Sequence, residues 1–158
     1  MAQIDLRNAT LFIVSGSNFI EVKIGDGNLT YAETRDIKFV KSRGNLDTVR
    51  EGEQMPMDVS FTFVWEFITG DGDTTIEDAL KREGGAVGWL STNQDPDAPY
   101  CVDLQILYTP PCTSAKREAI TFSQFNYEKL SHSLKDGTVD CSGKCNAVKA
   151  IVTRSPQS

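Results

Sequence analysis

Residues 57–68 read MDVSFTFVWEFI. Met57, Val59, Phe61, Phe63, Trp65 and Phe67 occupy one set of alternate positions. Asp58, Ser60, Thr62 and Glu66 occupy the other, joined by Val64 and Ile68. Successive side chains on a strand point to opposite faces, so this alternation specifies a β-strand with one buried face. Each inward side chain contributes about 1.5–3 kcal/mol of burial before entropy is charged against it, which makes Val59, Phe61, Phe63, Trp65 and Phe67 the spine of the core. Twelve residues at about 3.3 Å each would span roughly 40 Å, well beyond the common five- or six-residue strand.

Shorter segments carry the same signal. ATLFIV, residues 9–14, is apolar on both faces, as in a strand covered on both sides. FIEVKI, residues 19–24, turns Ile20, Val22 and Ile24 inward and runs into a Gly25-Asp26-Gly27 turn and NLTYAE. DIKFVK follows from Asp36. YCVDLQILY places Val102, Leu104, Ile106 and Tyr108 on one face. EAITFSQFNY changes phase, Ile120 and Phe122 giving way to Phe125 and Tyr127, which calls for a bulge or bend near Ser123. Asp136-Gly137 signals a two-residue hairpin turn before a last strand from Thr138 to about Val148. The inward residues of that strand (Val139, Cys141, Gly143, Cys145, Ala147) are small and require a close approach to a helix or another sheet.

One helix is expected at about 75–83, capped by Thr74 with Glu77 three residues later, striped by Ile76 and Leu80, and stopped at Gly84-Gly85. The chain of 158 residues forms one domain, 1–158, with a ragged C-terminus from about 150 to 158. The expected class is mainly β: a β-sandwich or barrel with one flanking α-helix and a long protruding loop between strands.

That loop is SRGNLDTVREGEQMP, residues 42–56. Fifteen residues exceed what a hairpin needs, and loops of that length are usually lids, binding elements or disordered. A lid has no catalytic group to cover. Disorder is opposed by Leu46, Val49 and Met55, spaced as anchors among charges of both signs. A protruding arm that docks on another copy suits both this segment and the overlong strand leaving it.

Chemistry is sparse. His132 is the only histidine, and Ser131 and Ser133 beside it point to the opposite strand face. A surface or subunit-contact role for His132 outweighs catalysis, and no enzyme activity is expected. GDGD, residues 70–73, lacks the acidic register that closes a calcium loop. No cofactor and no metal is expected. Sixteen Lys and Arg against 22 Asp and Glu leave a net charge of −6, the opposite of a nucleic-acid grip. The N-terminus shows no apolar signal region and no apolar run reaches membrane-span length, so a soluble protein without a membrane anchor, made in a cytoplasm, is expected. Cys141 and Cys145 lie on one face of an extended segment, roughly 13 Å apart and too far for a mutual disulfide. Free thiols, disulfides within or between subunits, and a metal site are the readings for Cys101, Cys112, Cys141 and Cys145, in descending order.

DLRNAT, KIGDGNLTYAETRDI, RGNLDTVREGEQMPMDVSFTFVWEFI, TIEDALKREG, PYCVDLQILYTPPC and DGTVDCSGKCNA together resemble the tail tube proteins of tailed bacteriophages. The resemblance covers roughly residues 4 to 148 and is most specific from Arg43 to Trp65. It implies a structural virion protein of the viral tail, akin to the tubes of contractile injection and type VI secretion systems. Six copies would close into a ring, and rings would stack into a hollow tube that conducts DNA from capsid to host. It implies that Arg43, Asp47, Arg50, Glu51 and Glu53 pair with neighbouring copies while Leu46 and Val49 pack as anchors. Asp58 and Glu66 become possible lumen carboxylates, repelling phosphate so that DNA passes without tight binding. Cys112, in the TPPCTSAKRE segment, becomes the possible inter-subunit disulfide partner. Implied partners are the protein itself, the tail terminator, the baseplate or tip, the tape-measure protein and, in a contractile tail, the sheath protein. Assembly would take place in the cytoplasm of a bacterial host. The tube of a tailocin or secretion-type contractile system is the nearest alternative, and a monomeric β-sandwich ligand-binding module is the alternative from another class.

Overall fold

A computed structural model describes residues 8–15, 18–24, 28–66, 74–89, 101–112 and 114–156. Ten strands follow in chain order: β1 (Ala9–Ser15), β2 (Asn18–Val22), β3 (Leu29–Ala32), β4 (Arg35–Ser42), β5 (Asn45–Gln54), β6 (Met57–Val64), β7 (Val102–Tyr108), β8 (Arg117–Ser133), β9 (Thr138–Cys145) and β10 (Ile151–Ser155). Among the described residues one short α-helix, α1 (Ile76–Lys81), lies between β6 and β7. Eight strands form one antiparallel sheet in the order β2-β1-β7-β8-β9-β6-β3, with β10 added alongside β8.

Strand β8 is the pivot. Its first half pairs with β7 on one edge and β10 on the other, and its second half pairs with β9. The expected phase change is real: Val102 opposes Phe125 but Leu104 opposes Phe122, so one extra residue sits on β8. Gln124 takes the left-handed conformation there (φ 54), and its backbone N–H donates to Asp103 Oδ1 at 3.1 Å. The bulge bends β8 so that the sheet folds over its own buried face. Rings from the two halves then meet, Tyr31 against Phe122 at 4.8 Å and Phe61 against Phe125 at 6.1 Å. The ends of the sheet approach without pairing as strands, and the architecture is mainly β but not a closed barrel. At one end of the gap the Lys23 carbonyl, just past β2, accepts from the Val64 N–H, while Asn28 accepts from the Thr62 N–H as an extension of the β3–β6 ladder.

Strand β6 alternates as expected: Met57, Val59, Phe61 and Phe63 are buried, and Asp58 and Ser60 are exposed. It is eight residues long, however, not twelve. Its ladder with β9 ends at Val64–Thr138, where the chain of β9 turns away. Trp65 therefore falls beyond the core, 38% exposed, with its ring on His132 at 4.9 Å. Phe67 lies outside the described residues.

Four other expectations need correcting. Helix α1 is capped one residue later than expected: Thr75 Oγ1 accepts from the Asp78 N–H, and the Asp78 carboxylate accepts from the Thr75 N–H. That frame buries Ile76, Ala79 and Leu80, and the helix ends at a left-handed Arg82 before the glycines. The β8–β9 connection has four residues, Leu134 to Gly137, not two. Residues 151–155 are not ragged but pair with β8. The small side chains of β9 accommodate a neighbour in the same sheet: a Cβ on Gly143 would lie 2.1 Å from the Asn126 carbonyl oxygen, where β8 carries a second irregularity between Tyr127 and Lys129.

Candidate functional site

The charged segment 42–56 protrudes, but it is not an irregular loop. Its residues Asn45–Gln54 pair with Arg35–Ser42, and the two strands pair with each other and with no strand of the body. Arg43 and Gly44 make the connection, both with positive φ (52° and 82°), the geometry of a two-residue turn whose twist matches an antiparallel pair. A non-glycine residue in that conformation is uncommon, which is why Arg-Gly carries so weak a turn signal.

Two irregularities shape the arm. Val40 opposes Thr48 but Lys41 opposes Leu46, so Asp47 is the extra residue of a bulge. The bulge brings Leu46 and Val49, three apart in sequence, onto one face with Ile37 and Phe39. Near the root, β5 carries another extra residue between the Arg35 and Ile37 pairings. There Asp36 Oδ2 accepts from the Glu53 N–H at 3.2 Å, lying so close over Gly52 that a Cβ would meet it at 2.1 Å. Arg35 pairs with Glu51 at 2.9 Å on the stripe face, an exposed pair that contributes little by itself.

Ile37, Phe39, Leu46 and Val49 thus form an apolar stripe, 38%, 60%, 71% and 62% exposed. Scattered single apolar residues on a surface are ordinary, whereas contiguous exposed apolar rows are the kind of surface that commonly marks interaction sites. The sequence-expected residues divide around it. Leu46 and Val49 lie on the stripe, Arg43 at the tip, Asp47 at the bulge, and Arg50 opposite Lys38 on the reverse face. Glu51 is already engaged by Arg35. Arg43, Asp47, Arg50 and Glu53 have no side-chain ion pair among the described residues. Ile37 and Phe39, on the neighbouring strand, were not singled out from the sequence. Their alternation in DIKFVK, which puts both on one side of a strand, was the signal.

Asp58 and Glu66 are both exposed, and each faces a lysine: Lys144 at 3.7 Å and Lys23 at 3.0 Å. Asp58 shares the outer face of β6 with Ser60 and Thr62, and those two, with Thr30, Asp140 and Ser142 but not Asp58, line a cavity of about 480 Å³. Glu66 stands beyond the end of that strand, so the two carboxylates do not form one site.

His132 ties the helix to the sheet. Its Nε2 is 3.0 Å from Glu77 Oε1, which also receives Lys81. Burial pushes the Glu77 carboxyl up, but hydrogen bonds and charge from Lys81 and His132 outweigh this, and the net direction is down. Cys141 and Cys145 are buried free thiols. Burial pushes Cys141 and Cys145 up to about 12, and burial with the Asp103 charge raises Cys101. Cys112 is exposed, and a hydrogen bond with Ser114 lowers its thiol. Among the described residues no three His, Cys, Asp or Glu side chains are grouped to hold a metal, and no helix is long and apolar enough to cross a membrane.

No protein-family model and no curated protein matches the chain. Among solved structures it is similar to the PVC sheath/tube terminator of an extracellular contractile injection system in its extended state, determined by cryo-EM. The TM-score is 0.56 at 9% identity, over 97% of this chain and 98% of that one. At that identity the likeness is one of fold.

Proposed function

We propose that this protein is a structural subunit of a tail-type tube, working by self-assembly and carrying no catalysis of its own. The observation that carries the reading is the β4–β5 arm, whose apolar stripe is left bare by its own chain. Fold likeness over nearly the whole length to a sheath/tube terminator of a contractile injection system supports the same class of assembly. In this reading six copies close into a ring and rings stack into the hollow tube of a bacteriophage tail. The acidic balance of the chain suits a conduit that DNA traverses without being held. Its partners are then its own copies, the tape-measure protein within, the terminator and tip or baseplate at the ends, and a sheath if the tail contracts.

A second reading has a specific observation behind it. The solved structure named above is a terminator, so this chain is alternatively the subunit that ends such a tube.

Negative-stain microscopy of the concentrated, purified protein separates these readings. Tubes of indefinite length support the tube subunit. Discrete rings that never stack support the terminator. Particles that stay monomeric at every concentration reject both and leave a ligand-binding β module. Replacing residues 38–50 by a short glycine linker should leave the body folded by circular dichroism while abolishing rings and tubes. Undiminished assembly without the arm rejects the arm as the contact.

A further inference from the structure

The geometry points to a receiving site for the arm: the open seam of the folded sheet, where a second copy's arm inserts its apolar stripe with Phe39 leading. This rests on the self-assembly reading and names the surface that the arm meets.

The two ends of the eight-stranded sheet, β2 and β3, are joined in sequence but do not pair. One hydrogen bond, from the Val64 N–H to the Lys23 carbonyl, ties the end of β2 to the β6 side of the gap, while the Thr62 N–H to Asn28 bond only extends the β3–β6 ladder. In the unclosed part lies a cavity of about 310 Å³, lined by Leu11, Leu29, Tyr31, Ile106, Tyr108 and Ile120. It is about twice the ~150 Å³ apolar void that accepts a benzene ring, so an aromatic side chain and an aliphatic neighbour fit. Tyr31 stands at its mouth, 40% exposed although its ring touches the buried Phe122.

The arm has the matching chemistry. Its stripe is apolar, and its tip is basic. From Lys38 to Arg50 there are four cations and one carboxylate, a net +3, which leaves −9 on the remaining residues of a chain whose total is −6. Glu21 lines the groove adjoining the seam, beside Lys23, and Glu33, which follows the end of β3, accepts from the Ala150 N–H. A basic tip on an acidic body steers the encounter of two copies and sets its polarity.

The arm does not occupy its own seam. It begins at Arg35, just after β3, and four residues at about 3.3 Å each set Phe39 roughly 13 Å from that root. Phe39 is exposed in the same molecule that has the cavity open. Arm and seam are different surfaces, so the contact is head-to-tail and propagates, closing into a ring or continuing as a filament.

The test uses full-length chains in a Cys112→Ser background. One preparation carries Phe39→Cys, the other Tyr31→Cys or Asn28→Cys, both exposed seam positions. Mixed under air oxidation, Phe39→Cys and a seam cysteine should join between chains on the order of tenfold more than Lys38→Cys, on the arm's reverse face, does. Two other results overturn the seam while leaving self-assembly intact. One is Phe39→Cys joining chiefly to itself, so that arms pack face to face. The other is an arm-dependent assembly in which the seam cysteines stay unlinked because something else fills the cavity. Strictly monomeric protein without cross-links overturns both this inference and the reading beneath it.

Discussion

Phe39 and Val49 oppose each other directly across the β4–β5 ladder, and both are more than half exposed. Directly opposed aromatic and β-branched residues ordinarily stabilise a sheet by about 0.2–1 kcal/mol per pair. Here the pair also presents to solvent a face that an isolated chain gains nothing by keeping apolar. Replacing both with serine should therefore leave the midpoint of thermal unfolding of the body nearly unchanged, in line with surface substitutions worth within about 0.5 kcal/mol. Sedimentation velocity should show assembly lost. A large fall in unfolding temperature with assembly retained would mean that the stripe serves the fold.

Gly143 faces the Asn126 carbonyl oxygen at a separation that no Cβ tolerates, and the obstacle is backbone. Gly143→Ala must push β9 away from β8 at the second irregularity of that strand. Overpacking of this kind costs about 1–3 kcal/mol. Urea denaturation should show a lower midpoint with an unchanged slope, while Gly44→Ala, whose Cβ meets only open space, suffers from its positive φ alone.

The Glu77 carboxyl titrates below the ordinary value of 4.5 in the folded protein. A lowered folded pKa contributes stability that is fully present above the unfolded value and is lost as pH falls through the folded one. Unfolding free energy should accordingly fall with acidification below about pH 4.5, and Glu77→Gln should flatten that part of the curve. If chemical denaturation from pH 3 to 6 gives parallel curves for wild type and Glu77→Gln, the carboxylate does not hold the helix to His132.

Thiol reactivity should separate the cysteines by burial. Ellman's reagent should label Cys112 rapidly in the native protein, because its thiol is exposed and lowered by Ser114. Cys101, Cys141 and Cys145 should react only on unfolding, since the thiolate is the reactive species and burial suppresses it. Native labelling of two or more thiols per chain would contradict the burial. Disulfide-linked oligomers on non-reducing gels, absent in Cys112→Ser, would establish Cys112 as an inter-subunit cross-link.

The sequence by itself determined the faces of the strands. Met57 to Phe63 alternate because one side of β6 meets apolar partners and the other meets water, and that periodicity is written residue by residue. The phase break before Phe125 announced the bulge at Gln124 for the same reason. Only the tertiary structure decided where alternation stops having consequences and which segments pair. Trp65 keeps the period of β6, and its N–H still donates to the Gly137 carbonyl, but it lies past the last Val64–Thr138 residue pair and its ring rests on His132 at the surface. Leu46 and Val49 looked like anchors scattered along a loop because a single extra residue, Asp47, shifts the period between them. A strand's local pattern reflects which side is dry. Its partners, its length and the docking of its stripe depend on hydrogen bonds to distant residues, and no short window of sequence contains those.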